Sequence, residues 1–160
     1  MTDAIEFNEG LIRRYDKAGP RYTSYPTAVE FHHGFTADTY AQHIALSNQR
    51  GGPLSLYFHV PFCDTVCFYC ACNKIITKNQ NLVEKYLTAL EQEIAGVAER
   101  LGTPKNLAEI HFGGGTPTFL NPQQLQRVVQ MIVSRFDTQE EGEWAFEADP
   151  RVTTTEQLEV

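Results

Sequence analysis

All four cysteines of the chain fall within the ten residues "CDTVCFYCAC", at Cys63, Cys67, Cys70 and Cys72. The chain's start, "MTDAIEFNEG", lacks the basic-then-apolar pattern of a signal peptide. A reducing, cytoplasmic setting is therefore expected, and thiols this close read as ligands rather than as a disulfide framework. The bland alternative is a set of small buried residues, since cysteine is among the most buried types. Zinc is the chemical rival. Structural zinc, however, is usually closed by two separated pairs of ligands. Cys72 lies two residues from Cys70, so on extended backbone its thiol points the opposite way. Cys63, Cys67 and Cys70 as three ligands, with Cys72 left over, fit the spacing better. A [4Fe–4S] cluster normally takes four thiolates. With three, one iron keeps an open position for a substrate or cofactor, by the logic of catalytic zinc.

Two further stretches carry residue types suited to a ligand. "GGGTP" at 113–117 lets backbone approach a bound group and offer its N–H and C=O groups; a flexible turn is the plain alternative. "FEADPR" at 146–151 contains Glu147, whose carboxylate can accept hydrogen bonds from ribose hydroxyls, as the acid of dinucleotide sites does. Alone, an acid at a strand end is more often a solvated or ion-paired group. Tyr57 shares the polar face of its segment with Ser55 and His59. For His59 the bland reading is a satisfied core histidine and no role is assigned; His111 reads as a surface or supporting residue.

These stretches share one kind of position. "LSLYFHV" at 54–60 alternates apolar and polar residues with the period of a strand, and it leads into the cysteines. "AEIHF" at 108–112 leads into the glycines. "EWAFEAD" at 143–149 ends in the acidic tract, with Glu147 and Asp149 expected on the face opposite Trp144 and Phe146. Between the first two, Leu82, Tyr86, Leu90, Ile94, Val97 and Leu101 recur at helical spacing up to Gly102. Between the second and third, Asn121–Pro122 predicts a capped helix start, with Leu125, Val128, Val129, Ile132 and Phe136 as its buried stripe. Thr154 and Gln157 predict a capping box at a last helix. Alternating strands and helices of this kind predict an α/β fold with parallel strands, whose function collects at the strands' C-terminal ends.

Residues 1–52 read as an N-terminal extension, with a short helix in "FNEGLIRRYDKA", a break at Gly19–Pro20, the tract "RYTSYPTA" and a second helix over 36–47. Residues 53–160 read as the first half of a (β/α) barrel domain. A full barrel takes ~250 residues, so a chain of 160 is expected to be a fragment, inactive when expressed alone. With 42% apolar residues it can bury one ordinary core. A net charge of −7 argues against a duplex nucleic-acid partner. No apolar run approaches the ~20 residues of a membrane span. A cytoplasmic monomer is expected.

The C-x3-C-x2-C loop after a first barrel strand resembles the radical S-adenosylmethionine (SAM) superfamily, in which the open iron binds SAM and an electron cleaves it to a 5′-deoxyadenosyl radical. Five tracts narrow the resemblance: "GPRYTSYPTA", "LSLYFHVPFC", "CACNKI", "HFGGGTPTFL" and "FEADPR". Together they resemble the oxygen-independent coproporphyrinogen III oxidase family. That resemblance implies a helical extension before a partial (β/α) barrel. It also implies oxidative decarboxylation of two propionates of coproporphyrinogen III to vinyls, giving protoporphyrinogen IX, with an unidentified electron donor and acceptor. By the same resemblance Cys63, Cys67 and Cys70 hold a [4Fe–4S] cluster, and two SAM molecules bind. Tyr57, Gly114 and Glu147 match contacts of the first SAM; Tyr69, Gly115 and Thr116 match contacts of the second. Tyr69 stands where a relative carries Phe, and Thr116 where many members of the superfamily have an acid. Cys72 matches a family cysteine tied to activity without ligating the cluster. Haem-delivery proteins and haem-opening methyltransferases of the superfamily are the neighbouring readings, and a non-catalytic metal-binding module is the reading from another class.

Overall fold

The computed structural model describes residues 7–17, 27–102 and 106–160. Gly19–Pro20 and residues 21–26 of the "RYTSYPTA" tract lie outside them. The chain divides into two compact units, one up to Thr36 and one from Ala37 to Val160.

In the first unit, α1 spans Glu9–Tyr15, with Asn8 as its N-cap: the Leu11 N–H donates to Asn8 Oδ1 at 2.9 Å. Glu9 and Arg13, four residues apart on one face, pair at 2.6 Å. None of its residues is buried.

The second unit begins with α2, Ala37–Arg50. It runs past the expected end at Ser47 and stops where Gly51 and Gly52 take φ of 70° and 101°, a backbone region that favours glycine. Strand β1, Leu54–Val60, follows as its alternation requires, with Phe58 and Val60 buried and Tyr57 exposed. Two two-residue strands, β2 at Phe62–Cys63 and β3 at Ile75–Ile76, then pair in parallel. Their bonds, Ile75 N–H to the Pro61 carbonyl at 2.7 Å and Thr77 N–H to the Cys63 carbonyl at 3.0 Å, pin both ends of the cysteine loop. Strands so short leave no periodic signal in the sequence.

Helix α3, Gln80–Leu101, is capped by Asn79 at its start and by Gly102, at φ 76°, at its end. Strand β4, Asn106–Gly114, runs parallel to β1, with Tyr57 opposite His111 and His59 opposite Gly113. Helix α4, Pro122–Val133, has the Asn121–Gln124 capping box. Strand β5, Asp137–Phe146, pairs in parallel with β4, and α5, Thr155–Leu158, has the Thr154–Gln157 box. The main sheet is thus three parallel strands in the order β1–β4–β5, with a helix in each crossover.

One face of this sheet makes the core with α3 and α4. Phe58 and Phe112 stack with ring centroids 5.2 Å apart. In α3 the most deeply buried residues are Val83 and Leu87, both 0% exposed, whereas Leu82, Tyr86 and Val97 of the expected stripe lie at its margin. The helix is apolar at 82–83 and 86–87 alike, and packing selects which of the adjacent rows faces the sheet. In α4, Met131 is buried where Val129 was expected.

Strand β5 differs most from expectation. It starts at Asp137, because Asp137 and Thr138 pair with Asn106 and Leu107 before an irregularity, and pairing resumes at Glu143. It ends at Phe146, so Glu147 and Asp149 stand in the following loop rather than on a strand face. Pro150, which has no N–H to donate, stands just beyond.

Candidate functional site

The chain leaves β1 through Pro61 and enters the cysteine loop at Cys63. That entry is bonded to the loop after β4: Gly115 N–H donates to the Val60 carbonyl and Thr116 N–H to the Phe62 carbonyl, both at 2.8 Å. The approach is so close that side chains are excluded. A Cβ at Gly115 would stand 2.8 Å from the Phe62 carbonyl oxygen and 2.9 Å from Cys63 Sγ. Gly114 has φ 118°, and a Cβ there would meet the His59 ring at 2.8 Å. Loop packing alone therefore demands glycine at these two positions.

The third loop joins through Glu147. Its N–H donates to the Phe112 carbonyl at 2.9 Å, and its Oε2 accepts from Gly114 N–H at 3.1 Å. Its Oε1 lies 3.4 Å from His111 Nε2, yet the side chain remains 55% exposed, leaving room for a hydroxyl donor. Further along, Asp149 accepts from Arg151 through both oxygens, at 2.9 and 2.7 Å. These side-chain hydrogen bonds lower the Asp149 carboxyl to about 2.

One cavity of about 660 Å³ takes its walls from all three loops. The four cysteines and Tyr69 come from the first, Gly114, Gly115 and Thr116 from the second, and Glu147 with Asp149 and Arg151 from the third. All four thiols are free, but they differ: Cys63 is buried, Cys70 half-buried, and Cys67 and Cys72 exposed. Cys70 N–H donates to the Cys67 carbonyl at 3.1 Å, a tight turn that the two-residue gap permits. A hydrogen bond from the Cys72 backbone, with help from Lys74, lowers the Cys70 thiol, while burial and then the Cys70 charge push the Cys72 thiol up. Tyr69 is 88% exposed at the loop's edge.

Tyr57 does not line this cavity; it opens on a separate groove of about 300 Å³ with His59 and Tyr86. It is linked to the site through two histidines. Its hydroxyl lies 3.1 Å from His59 Nδ1, and its ring stacks on His111 with centroids 5.7 Å apart. His59 Nε2 lies 2.7 Å from the Asn73 carbonyl, which can only accept. Neutral His59 therefore carries its proton on Nε2 and leaves Nδ1 to accept from Tyr57. This places His59 between the tyrosine and the exit of the cysteine loop, a role beyond that of a satisfied core residue. His111 bridges Tyr57 and Glu147, and no sequence signal predicted it. Only the strand register, which sets His111 opposite Tyr57, could have done so.

Soft, free thiols on one wall of a cavity have the donor chemistry of an iron–sulfur centre. Among the described residues, however, no three His, Cys, Asp or Glu side chains stand close enough together to hold a metal ion. The cysteines share the cavity without yet forming a ligand set. No helix among the described residues is long and apolar enough to cross a membrane.

The parallel sheet with a cysteine loop at its rim is the arrangement of a radical SAM protein. The solved structure of coproporphyrinogen III oxidase from Escherichia coli, described as a radical SAM enzyme, matches 97% of this chain and 33% of its own, with a TM-score of 0.81 at 39% identity. No family model matches the chain. Among curated proteins, the oxygen-independent coproporphyrinogen III oxidase of Pseudomonas aeruginosa is 45% identical over 153 residues, 94% of this chain and 33% of the relative. That of Escherichia coli is 44% identical over 147 residues, 92% of this chain and 32% of the relative. A protein of the same name from Mannheimia haemolytica is 44% identical over 150 residues, covering 94% of this chain and 100% of the relative. The chain belongs to the oxygen-independent coproporphyrinogen III oxidase family. It spans about a third of the length of the Pseudomonas and Escherichia relatives.

Proposed function

We propose that this chain carries the cluster- and SAM-binding rim of a coproporphyrinogen III oxidase, acting in porphyrin biosynthesis without oxygen. The observation that supports it is the single cavity walled by the four cysteines, the glycine–threonine loop and Glu147. When bound, a [4Fe–4S] cluster and SAM supply the radical that removes a hydrogen from each propionate before decarboxylation to vinyl. Cys63, Cys67 and Cys70 hold the cluster. Cys63 is already anchored by the β2–β3 ladder, and the exposed Cys67–Cys70 turn has to draw toward it on loading. The Glu147 carboxylate takes hydroxyls of the first SAM, and Tyr57, held by His59, supports that side. Gly114 and Gly115 let the second loop pack directly against His59, Phe62 and Cys63, which brings their backbone to the wall of the cavity. Tyr69 and Thr116 serve a second SAM, and Cys72 acts beside the cluster without ligating it. An electron donor and acceptor complete the reaction on coproporphyrinogen III.

Anaerobic reconstitution with iron and sulfide tests this reading. A brown protein with a visible thiolate-to-iron band, which cleaves SAM to 5′-deoxyadenosine on reduction but forms no protoporphyrinogen by itself, is the expected result. Serine at Cys63, Cys67 or Cys70 should abolish cluster binding, whereas Cys72→Ser should retain iron. A colourless protein holding one zinc per chain would overturn the proposal.

A further inference from the structure

Thr116 occupies the N-cap position of the short 3-10 turn Pro117–Phe119, with extended backbone at φ −145° and ψ 98°. A threonine there ordinarily accepts from the turn's own N–H groups through its hydroxyl. This one makes no side-chain cap bond. Its Oγ1 instead donates to Cys63 Sγ at 3.4 Å. The placement is enforced by backbone, since Thr116 N–H and Gly115 N–H are both bonded to the strand-to-loop segment that carries Cys63. Gly115 leaves the sulfur its space, with Sγ 2.9 Å from where a Cβ would lie. Cys63 is also the one buried thiol of the four, and in a low-dielectric setting a single donor to sulfur counts for more than it would in water.

We propose that the Thr116 hydroxyl donates a hydrogen bond to the Cys63 sulfur and thereby raises the reduction potential of the cluster that this sulfur holds. The inference rests on the cluster reading given above. The reduced state carries one more negative charge, part of it on the ligand sulfurs, so a donor stabilises that state more than the oxidised one. Thr116 acts through Cys63 and is a positioning residue in this role. Its proposed contact with a second SAM is separable, because the potential can be read without SAM.

The test is a reductive titration of the anaerobically reconstituted 160-residue chain, followed by electron paramagnetic resonance with no SAM present. Thr116→Val keeps the side-chain shape and removes the donor, so its midpoint should fall below that of the wild type at equal iron content. Thr116→Ser keeps the hydroxyl and should return the midpoint to the wild-type value. Thr116→Ala gives a second donor-free variant in case the valine is not accommodated, and it should fall as the valine does. Equal midpoints in wild type and the donor-free variants would overturn the proposal while leaving the cluster reading intact. A serine variant that falls with the valine would overturn it as well. A wild-type chain that takes up no cluster would overturn the underlying reading and this proposal together.

Discussion

Cys63 and Cys72 are both free thiols of one loop, yet their surroundings separate them. Cys63 is held by a strand ladder, backed by Gly115 and bonded to Thr116. Cys72 is exposed and shares none of these restraints. Glycine is required at 115 by simple exclusion, because backbone and sulfur stand where a methyl would go. Gly115→Ala should therefore cost about 1–3 kcal/mol through overpacking and lower iron uptake by displacing Cys63. Urea unfolding together with iron analysis after reconstitution would check it, and an unchanged midpoint with full loading would contradict it. The cysteine spacing, the glycine run and Glu147 were all legible as candidates in the sequence. Thr116's hydroxyl partner, the tautomer of His59 and the bridging place of His111 were not. Each depends on a contact between residues far apart in the chain.

At the scale of elements, capping chemistry and periodicity set the boundaries well where the signal is local. Thr154 with Gln157 forms the box that its spacing predicts, and Asn121 caps α4 as expected, with Gln124 closing a box there as well. Gly102 ends α3, as its place after Leu101 predicts. Which row of α3 faces the sheet is not local. The helix offers apolar residues at 82–83 and 86–87, and the sheet takes Val83 and Leu87. Leu87→Ala should cost about 2–5 kcal/mol, as for a fully buried leucine, and Leu82→Ala distinctly less. Denaturant midpoints of the two variants decide the point, and a larger loss at Leu82 would place the other row inside. Strand β5 departs from its expected bounds at both ends for a related reason. The acidic run before Trp144 shows no alternation, yet pairing with β4 carries the strand back to Asp137.

Over the whole molecule, one sheet face is sealed by α3 and α4, while the strand ends converge on a rim of loops. The buried core and the candidate site are thus set apart in space. Phe68 at 111% and Tyr69 at 88% exposure show how little of the cysteine loop's tip is packed. Amide exchange should be slowest in β1, β4, α3 and α4 and fastest at 64–73, with the Ile75 and Thr77 amides protected by their bonds at the loop base. Mass-spectrometric exchange would show this, and cluster loading should slow exchange across 64–73. A loop already as protected as the strands would contradict the drawing-in of Cys67 and Cys70 proposed above.

The sequence by itself determined the α/β order, the helix caps and the identity of the residues at the rim. These follow from near-neighbour spacing: a period of two or of 3.6, a cap and its partner three residues on, and thiols three, two and one residues apart. Only the tertiary structure decided which thiol is buried, where the β5 pairing begins, and which groups hold Tyr57, Glu147 and Cys63. Those outcomes depend on strand register and on how closely two loops can approach, and both are set by packing between segments that the chain itself holds dozens of residues apart.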